Sequence, residues 1–362
     1  MTELVPVRGM NTQDPPERRI QSAKERFGKE LVILGHHYQK DEVIQFADFR
    51  GDSLKLARDA AACTEAKFVI FCGVHFMAET AAILARPGQT VLFPEPGALC
   101  PLAEKADLFL VEDAWSQLRG CMDVERDVTP ITYINSEAVL KAFCGTHGGS
   151  VCTSSNARGV VEWARARRPR TFFFPDQHLG RNTGVRMGIP LERMPLWDPR
   201  ETLGGNTGES LRAAEIILWK GWCYVHQRFL PAHIHEARKA QPGVRVWVHL
   251  ECTQEVVRLA DDAGSTADII RLVEGAPAGT RWAIGTEGNL VARLARDHPE
   301  QEIHLLSPSP NNCITMNQTT LESLVRICDG LLRGEQINPV RVPPEVAEPA
   351  RAALERMLEV RT

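Results

Sequence analysis

Short apolar segments rich in β-branched and aromatic residues alternate with amphipathic segments along almost the whole chain. The apolar segments predict strands at Leu31–Gly35, Phe68–Cys72, Thr90–Phe93, Pro130–Ile134, Thr171–Phe174, Val244–Leu250, Arg281–Gly285 and Ile303–Leu306. The amphipathic segments predict helices, for example at Ser53–Ala62, Asn156–Arg167 and Ala267–Val273. This alternation is typical of βαβ units with parallel strands, so the sequence predicts an α/β fold.

Length and charge limit the class of protein. With 362 residues, the chain is long enough for two or three domains of about 100–200 residues. A net charge of −4 argues against a nucleic-acid partner. Apolar stretches such as Lys67–Met77 are shorter than the roughly 18–20 residues that span a bilayer, so no membrane partner is expected. Because Met1–Arg19 has no apolar signal core, we expect a flexible leader over residues 1–23 and a cytoplasmic location.

A threefold repeat of polar clusters follows the predicted strands. The clusters are His36-His37-Tyr38, Tyr133-Ile134-Asn135 and His249-Leu250-Glu251. Each precedes a hydroxyl-bearing turn that opens a helix, and these turns contain Ser53, Ser154 and Ser265-Thr266. Each unit also has a cysteine after its later predicted strands, and these cysteines are Cys100, Cys223 and Cys313.

The spacing of these residues predicts three αβα domains. Ser53 precedes Cys100 by 47 residues and Thr266 precedes Cys313 by 47, whereas the middle interval is longer. Its excess falls in the Gly- and Pro-containing segment 183–208, which is interpreted as an inserted loop. The predicted domains are residues 24–112, 113–230 and 231–335, followed by a linker and a helix within residues 336–362.

The C-terminal part of the third domain carries the clearest helix signals. Thr319 and Glu322 predict a capping box, and Gly330 predicts the end of the helix. Leu321, Leu324, Val325 and Cys328 form an apolar stripe along one face of this helix. The stripe predicts that Cys328 is a core residue.

The clusters lie where open α/β sheets bind ligands, beyond the carboxyl ends of strands. Ser53, Ser154 and Thr266 near helix N-termini suit a small anionic substrate, although capping alone is the alternative for each. Proton donors and acceptors are supplied by His36, Tyr38, His226, His249 and Glu251.

The ten cysteines include no CxxC pair, so a zinc ribbon or thioredoxin-type site is not indicated. One cysteine from each unit can hold a 4Fe–4S cluster that leaves one iron open as a Lewis acid. Inert burial is the alternative, and we apply it to Cys63, Cys72, Cys121, Cys144 and Cys328. Cys152 and Cys252, each beside a polar cluster, stay ambiguous.

Several long motifs, in the same order, resemble those of quinolinate synthase. They are Gly35–Gln39, Ala47–Ser53, Phe71–Thr80, Tyr133–Ser136, Cys152–Ala157, Pro175–Asn182, Trp219–His226, Gly264–Thr266, Gly285–Glu287, and Cys313 with Met316. The resemblance extends from about Lys24 to Gly334.

The resemblance implies a transferase of de novo NAD biosynthesis. Such an enzyme condenses iminosuccinate with dihydroxyacetone phosphate to give quinolinate, phosphate and water. Transient contact with the aspartate oxidase or dehydrogenase that supplies iminosuccinate is also implied. The family has three similar αβα domains, arranged with pseudo-threefold symmetry around a central cavity.

The site residues implied by the resemblance follow from matching the motifs. Cys100, Cys223 and Cys313 would hold a 4Fe–4S cluster with one open iron, and Tyr38, His226 and Glu251 would transfer protons. The substrate would be bound by His36, Ser53, Tyr133, Asn135, Ser154, His249, Glu251, Ser265 and Thr266.

Three features depart from the family pattern. Leu250 replaces the usual proline, which we expect to loosen that strand end. Ala98-Leu99 replaces the usual alanine-glycine before Cys100, and the shorter family members lack segment 183–208, which we interpret as a mobile flap or a surface elaboration. Two alternatives stay open, another iron–sulfur hydro-lyase acting on a small hydroxy acid and a cluster-based redox or metabolite sensor.

Overall fold

Three small sheets, each built only of parallel strands, form the framework of the chain. The computed structural model describes residues 13–360. The strands are β1 Leu31–His36, β2 Phe49–Gly51, β3 Phe68–Cys72, β4 Thr90–Leu92, β5 Val128–Tyr133, β6 Ser150–Cys152, β7 Arg170–Phe174, β8 Leu196–Trp197, β9 Ile216–Trp219, β10 Arg245–His249, β11 Asp262–Gly264, β12 Arg281–Gly285 and β13 Glu302–Leu305. The predicted α/β fold with parallel sheets is confirmed.

Helices connect these strands. They are α1 Pro16–Phe27, α2 Asp41–Ile44, α3 Ser53–Ala62, α4 His75–Leu84, α5 Leu108–Arg119, α6 Val124–Asp127, α7 Ala138–Thr146, α8 Ala157–Arg165, α9 Gln177–Arg186, α10 Gly208–Ala213, α11 Pro231–Ala240, α12 Gln254–Leu259, α13 Thr266–Glu274, α14 Gly288–Asp297, α15 Leu321–Leu332 and α16 Pro344–Glu359. Short 3-10 helices lie at Gly28–Glu30, Ala103–Lys105, Leu191–Arg193, Thr202–Gly205, His226–Arg228 and Met316–Gln318. Among the described residues, no helix is long and apolar enough to cross a membrane.

The three sheets repeat one strand order. The orders are β2-β1-β3-β4, β6-β5-β7-β9-β8 and β11-β10-β12-β13. The register repeats as well, because His36 pairs with Gly51, Tyr133 with Cys152 and His249 with Gly264. The residue that ends the first strand of each domain therefore belongs to one of the predicted polar clusters. The neighbouring strand leads into the hydroxyl-bearing turn.

The described residues divide into two compact units, and the first is assembled from distant parts of the chain. It contains residues 13–100 and 313–343. Helix α15 packs on α1 and on the first sheet, so that Leu324, Ile327 and Cys328 share a core with Ile20 and Ile33. Residues 313–335, which the sequence assigns to the third domain, lie in this unit, and the predicted domain of residues 231–335 stays a prediction. The apolar stripe of α15 is covered by the first sheet.

The predicted leader also differs from the structure. Residues 1–12 lie outside the described residues, but helix α1 begins at Pro16 and buries Ile20 and Ala23. The described part of the predicted leader, residues 13–23, thus includes the start of a helix, and the domain boundary at residue 23 stays a prediction. Arg19 of this helix forms an ion pair with Asp329 of α15, 310 residues further along the chain.

The second unit contains residues 101–312 and 344–360, including the second and third sheets. Helix α16 packs on α7 and β6. Gly145 of α7 permits this contact, because a Cβ at this position would collide with the Pro349 carbonyl of α16. The predicted C-terminal helix is confirmed, and its apolar face packs on α7 and on β6, an edge strand of the second sheet.

The segment 183–208 is not an irregular loop. It starts within α9 and contains β8, which pairs with β9 as the outermost strand of the second sheet. Ile189, Met194 and Trp197 are buried. The sequence interpretation was wrong here because a two-residue strand has too few residues to show an alternating pattern.

The caps of α15 also differ from the prediction. Thr320, not Thr319, is the N-cap, and its partner in the capping box is Ser323. Gly330 lies inside the helix, which continues to Leu332. The glycine fits there because Ile337 packs against its Cα, where a side chain would collide. The prediction that Cys328 is a core residue is confirmed.

Candidate active site

In the second unit, the ends of β5 and β10 and the 3-10 helix His226–Arg228 bring four polar side chains together. The Tyr133 hydroxyl donates a hydrogen bond to Oε1 of Glu251 at 2.6 Å. Nδ1 of His226 lies 3.2 Å from Oε2 of the same carboxylate. The rings of His226 and His249 stack with their centroids 4.3 Å apart. All four side chains are buried, so this constellation is held away from bulk water.

The electrostatics of the cluster favour a charged carboxylate beside a neutral histidine. Burial by itself would raise the pKa of Glu251, but the charge and hydrogen bond of His226, together with His249 and the Tyr133 hydroxyl, lower it overall. Burial, together with the neighbouring His226, lowers the pKa of His249 to about 3. The carboxylate is thereby held ionised and free to accept a proton, and the ring nitrogens and the phenol in contact with it can exchange protons with it.

The turn that carries Glu251 has a counterpart in the first unit. Nδ1 of His249 accepts the backbone N–H of Glu251 at 3.2 Å, and Nδ1 of His36 accepts the backbone N–H of Tyr38 at 3.1 Å. Tyr38 and Glu251 therefore occupy equivalent positions in two domains. The ring of Tyr38 packs edge-on against His36, with centroids 4.7 Å apart.

Asn135 follows Tyr133 at the same spacing, two residues after the last residue of the domain's first strand. Its side chain is half-buried. Its Oδ1 is buried and has no hydrogen-bond partner among the described residues. An unpaired buried amide oxygen costs stability, so it is a natural acceptor for a ligand N–H or O–H group.

Each of the three hydroxyl-bearing turns leads to a helix N-terminus. Ser53 is the first residue of α3 and Thr266 the first of α13, while the N-caps are Asp52 and Ser265. Ser154 lies two residues before Asn156, the N-cap of α8. Ser53, Ser154 and Thr266 are therefore not the N-caps of these helices, and the alternative that they merely cap them is wrong. Ser265 is an N-cap, because its hydroxyl accepts the backbone N–H of Asp268 in a capping box.

The three cysteines of the predicted cluster site share one structural position. Cys100, Cys223 and Cys313 follow β4, β9 and β13, and each stands three residues before a short 3-10 helix. All three are half-buried. The Sγ atom of Cys223 lies within 4.8 Å of donor atoms of His226 and Glu251, a grouping that can hold a metal ion.

Most of the remaining cysteines are unsuited to ligation. Burial raises the pKa of six of these thiols and so disfavours the thiolate that a metal requires; these are Cys63, Cys72, Cys144, Cys152, Cys252 and Cys328. Cys152 and Cys252, which the sequence left ambiguous, belong to this group. Cys63 and Cys121 are half-buried, but they follow the helices α3 and α5 and not the last strand of a domain.

The expected loosening at Leu250 is not observed. Its backbone N–H, which a proline would lack, donates to the Gly264 carbonyl at 3.1 Å. Leucine therefore extends the pairing of β10 with β11 by one hydrogen bond, and the strand end that carries His249 and Glu251 is held in register.

The structure adds three residues to which sequence reasoning gave no role. Thr286 places its hydroxyl 3.4 Å from Nε2 of His226, and Asn182 contacts the Glu251 turn. Asp176 caps α9 by accepting two backbone N–H groups at 2.8 Å, and burial together with the charge of Glu251 raises its pKa. All three lie within motifs that resemble those of the family. The contacts of Thr286 and Asn182 join distant parts of the chain, which no local sequence pattern relates.

Comparison with known proteins shows similarity over nearly the whole chain. The family model described as quinolinate synthetase A protein matches residues 18–359. A quinolinate synthase of Rhodopirellula baltica is 50% identical over 356 residues, covering 95% of this chain and 91% of the relative. Quinolinate synthases of Halalkalibacterium halodurans and Corynebacterium glutamicum are also 50% identical, with 95% and 96% of this chain and 93% and 88% of the relatives covered.

Proposed function

Because the chain belongs to the quinolinate synthetase A family, we propose that it condenses iminosuccinate with dihydroxyacetone phosphate to form quinolinate, phosphate and water. The product places the enzyme in de novo NAD biosynthesis. The observation that carries the proposal is the buried contact of Glu251 with both Tyr133 and His226, because the reaction needs a protected base that can also return protons.

Cys100, Cys223 and Cys313 would hold a 4Fe–4S cluster. The donor set fits, because these thiols are half-buried at equivalent positions whereas five others are fully buried. When bound, such a cluster with one open iron supplies a Lewis acid that polarises substrate oxygen. His226 and Glu251, grouped with the Cys223 sulfur, would act on the substrate beside it.

The proposed proton transfers are assigned to Glu251, His226 and Tyr38. The Glu251 carboxylate accepts the proton that carbon loses when the bond between the two substrates forms. His226 and Tyr38 return protons to oxygen atoms that leave as water. Tyr133, through its 2.6 Å hydrogen bond, keeps the carboxylate oriented during these steps.

Substrate binding is assigned to the strand ends and helix N-termini. Backbone N–H groups near Ser53, Ser154 and Thr266 favour carboxylate and phosphate groups. His36, His249 and Ser265 belong to the same strand ends and turns. The unpaired Oδ1 of Asn135 accepts a hydrogen bond from the substrate. Burial of Tyr133, His226, His249 and Glu251 also limits hydrolysis of iminosuccinate, a reactive imine.

The test combines cluster analysis with product analysis. The protein is purified without oxygen, iron and sulfide are counted, and iminosuccinate is supplied with and without dihydroxyacetone phosphate. We expect quinolinate and phosphate only when both substrates are present. Turnover of a hydroxy acid without dihydroxyacetone phosphate would instead support the alternative iron–sulfur hydro-lyase.

Single cysteine variants test the ligand assignment. Replacing Cys100, Cys223 or Cys313 by serine should remove most of the iron and the quinolinate synthesis. Cys121→Ser is the matched control, because Cys121 is also half-buried but lies outside the repeated position. A full cluster with normal turnover in any of the first three variants would refute its assignment.

A further inference from the structure

Asn182 of helix α9 holds the backbone on both sides of Glu251. Its Nδ2 donates to the carbonyl of Leu250 and to that of Cys252, each at 2.8 Å. The side chain is buried. One amide group therefore binds the carbonyl of the residue before the proposed base and that of the residue after it.

The same turn is fixed internally. The Glu251 N–H donates to Nδ1 of His249, the Cys252 N–H donates to the His249 carbonyl at 3.0 Å, and the Leu250 N–H donates to Gly264. These contacts hold the turn to β10 and to its neighbour β11. Asn182 ties the same turn to helix α9 of the second domain, the domain that also supplies Tyr133 and His226.

The domain repeat does not by itself account for this arrangement. Asn182 is the sixth residue after Asp176, the N-cap of α9, and Thr80 stands at the same distance from Val74, the N-cap of α4. The Thr80 hydroxyl donates to Phe76 within its own helix. The contact of Asn182 with a neighbouring strand end is therefore not shared by the equivalent residue of α4.

We propose that Asn182 is a positioning residue that sets the Glu251 carboxylate against Tyr133 and His226. The contact itself is independent of the reaction, whereas its effect on turnover rests on the proposed function. Without Asn182, two buried carbonyls lose their donor, and the turn shifts until they find other partners. The carboxylate then leaves the 2.6 Å contact with the Tyr133 hydroxyl.

The first measurement is independent of substrate and cluster. The chain has three tyrosines, so fluorotyrosine labelling gives three ¹⁹F resonances, and Tyr133→Phe identifies the one from Tyr133. In Asn182→Leu, which keeps the approximate volume without a donor, we expect the Tyr133 resonance to shift in the apoprotein, and we expect a shift in the same direction in Glu251→Gln. Asn182→Ser is the second variant, because its hydroxyl is too short to bridge both carbonyls.

Asn206→Ala is the matched control. The Asn206 amide donates to the carbonyls of Leu196, Leu203 and Gly204, so a similar number of contacts is lost far along the chain from Glu251. We expect its Tyr133 resonance to stay at the wild-type position.

The second measurement is steady-state turnover of cluster-loaded enzyme. For both Asn182 variants we expect kcat to fall about 10- to 100-fold, as small misplacements of catalytic groups do, with KM and iron content close to wild type. An unmoved Tyr133 resonance together with kcat within about twofold of wild type would overturn the proposal. A shifted resonance in a chain whose wild type makes no quinolinate would uphold the contact and reject the proposed function instead.

Discussion

At the scale of single residues, burial and nearby charge set the protonation states of the site. His249 and Glu251 are 2% and 3% exposed, and water no longer sets their protonation. Burial favours the neutral form of His249, whereas the hydrogen bonds and nearby charge of His226 keep Glu251 ionised. One titratable group of this turn is thereby held neutral and the other negatively charged.

The lowered pKa of His249 predicts a specific acid sensitivity. The folded-state pKa is about 3, below the usual value of about 6.5 for an unfolded histidine. Between these values the unfolded state binds more protons, so the free energy of unfolding falls as the pH falls. One proton contributes at most about 1.4 kcal/mol per pH unit.

His249→Asn tests this prediction, because the asparagine oxygen can still accept the Glu251 N–H but does not titrate. Urea unfolding at pH 7, 6 and 5 should show a shallower loss of stability in the variant than in wild type. His235→Asn changes an exposed histidine and serves as the surface control. Equal slopes in wild type and His249→Asn would contradict the assigned burial effect.

At the scale of elements, helix packing is controlled by close contacts that small residues allow. Helix α16 lies against α7 because Gly145 has no side chain. Asn156, the N-cap of α8, adds a second tie by donating to the Met357 carbonyl at 3.1 Å. These contacts join the C-terminal helix to the domain that carries Tyr133 and Ser154.

Gly145→Ala should therefore destabilise the second unit. The added methyl group collides with the Pro349 carbonyl, and overpacking of this kind costs about 1–3 kcal/mol. We expect a lower urea midpoint and faster proteolytic cleavage within α16.

Gly120→Ala is the control for helix propensity, since its Cβ would approach only the Gln117 carbonyl, at 3.2 Å. Similar effects of the two substitutions would mean that the α7–α16 contact does not limit stability.

At the scale of the whole molecule, the compact units do not follow the order of the chain. The first unit joins residues 13–100 to residues 313–343. The strand repeat suggests instead that α15 belongs to the third domain, because β13 precedes it directly. The apolar stripe of α15 packs on the first sheet, and this packing assigns the helix to the first unit.

Two core substitutions distinguish these divisions of the chain. Ile327→Ala in α15 and Leu354→Ala in α16 each remove a fully buried side chain, at a typical cost of about 2–5 kcal/mol. Hydrogen exchange should show protection lost within residues 13–100 for Ile327→Ala and within residues 101–312 for Leu354→Ala. Each variant is the control for the other, and loss of protection across residues 231–312 in Ile327→Ala would favour the division drawn from the sequence.

Most of the framework could be predicted from the sequence. The buried strands Phe68–Cys72 and Arg281–Gly285 and the helix Ser53–Ala62 were predicted with the bounds that the structure has, because their apolar periodicity is strong. Short strands such as β2, β6 and β11 were missed, since three residues carry little periodicity. The convergence of Cys100, Cys223 and Cys313 on one cluster and the cytoplasmic location stay predictions.

The sequence by itself determined which residues end the strands and open the helices, because apolar periodicity and turn chemistry act over a few neighbouring residues. It thereby determined the repeated positions of His36, Tyr133 and His249. Only the tertiary structure decided that Glu251 faces both Tyr133 and His226, that Asn182 holds its turn, and that α15 completes the first unit. These contacts join residues from 25 to more than 300 positions apart, and they depend on how whole sheets and helices bury their apolar faces.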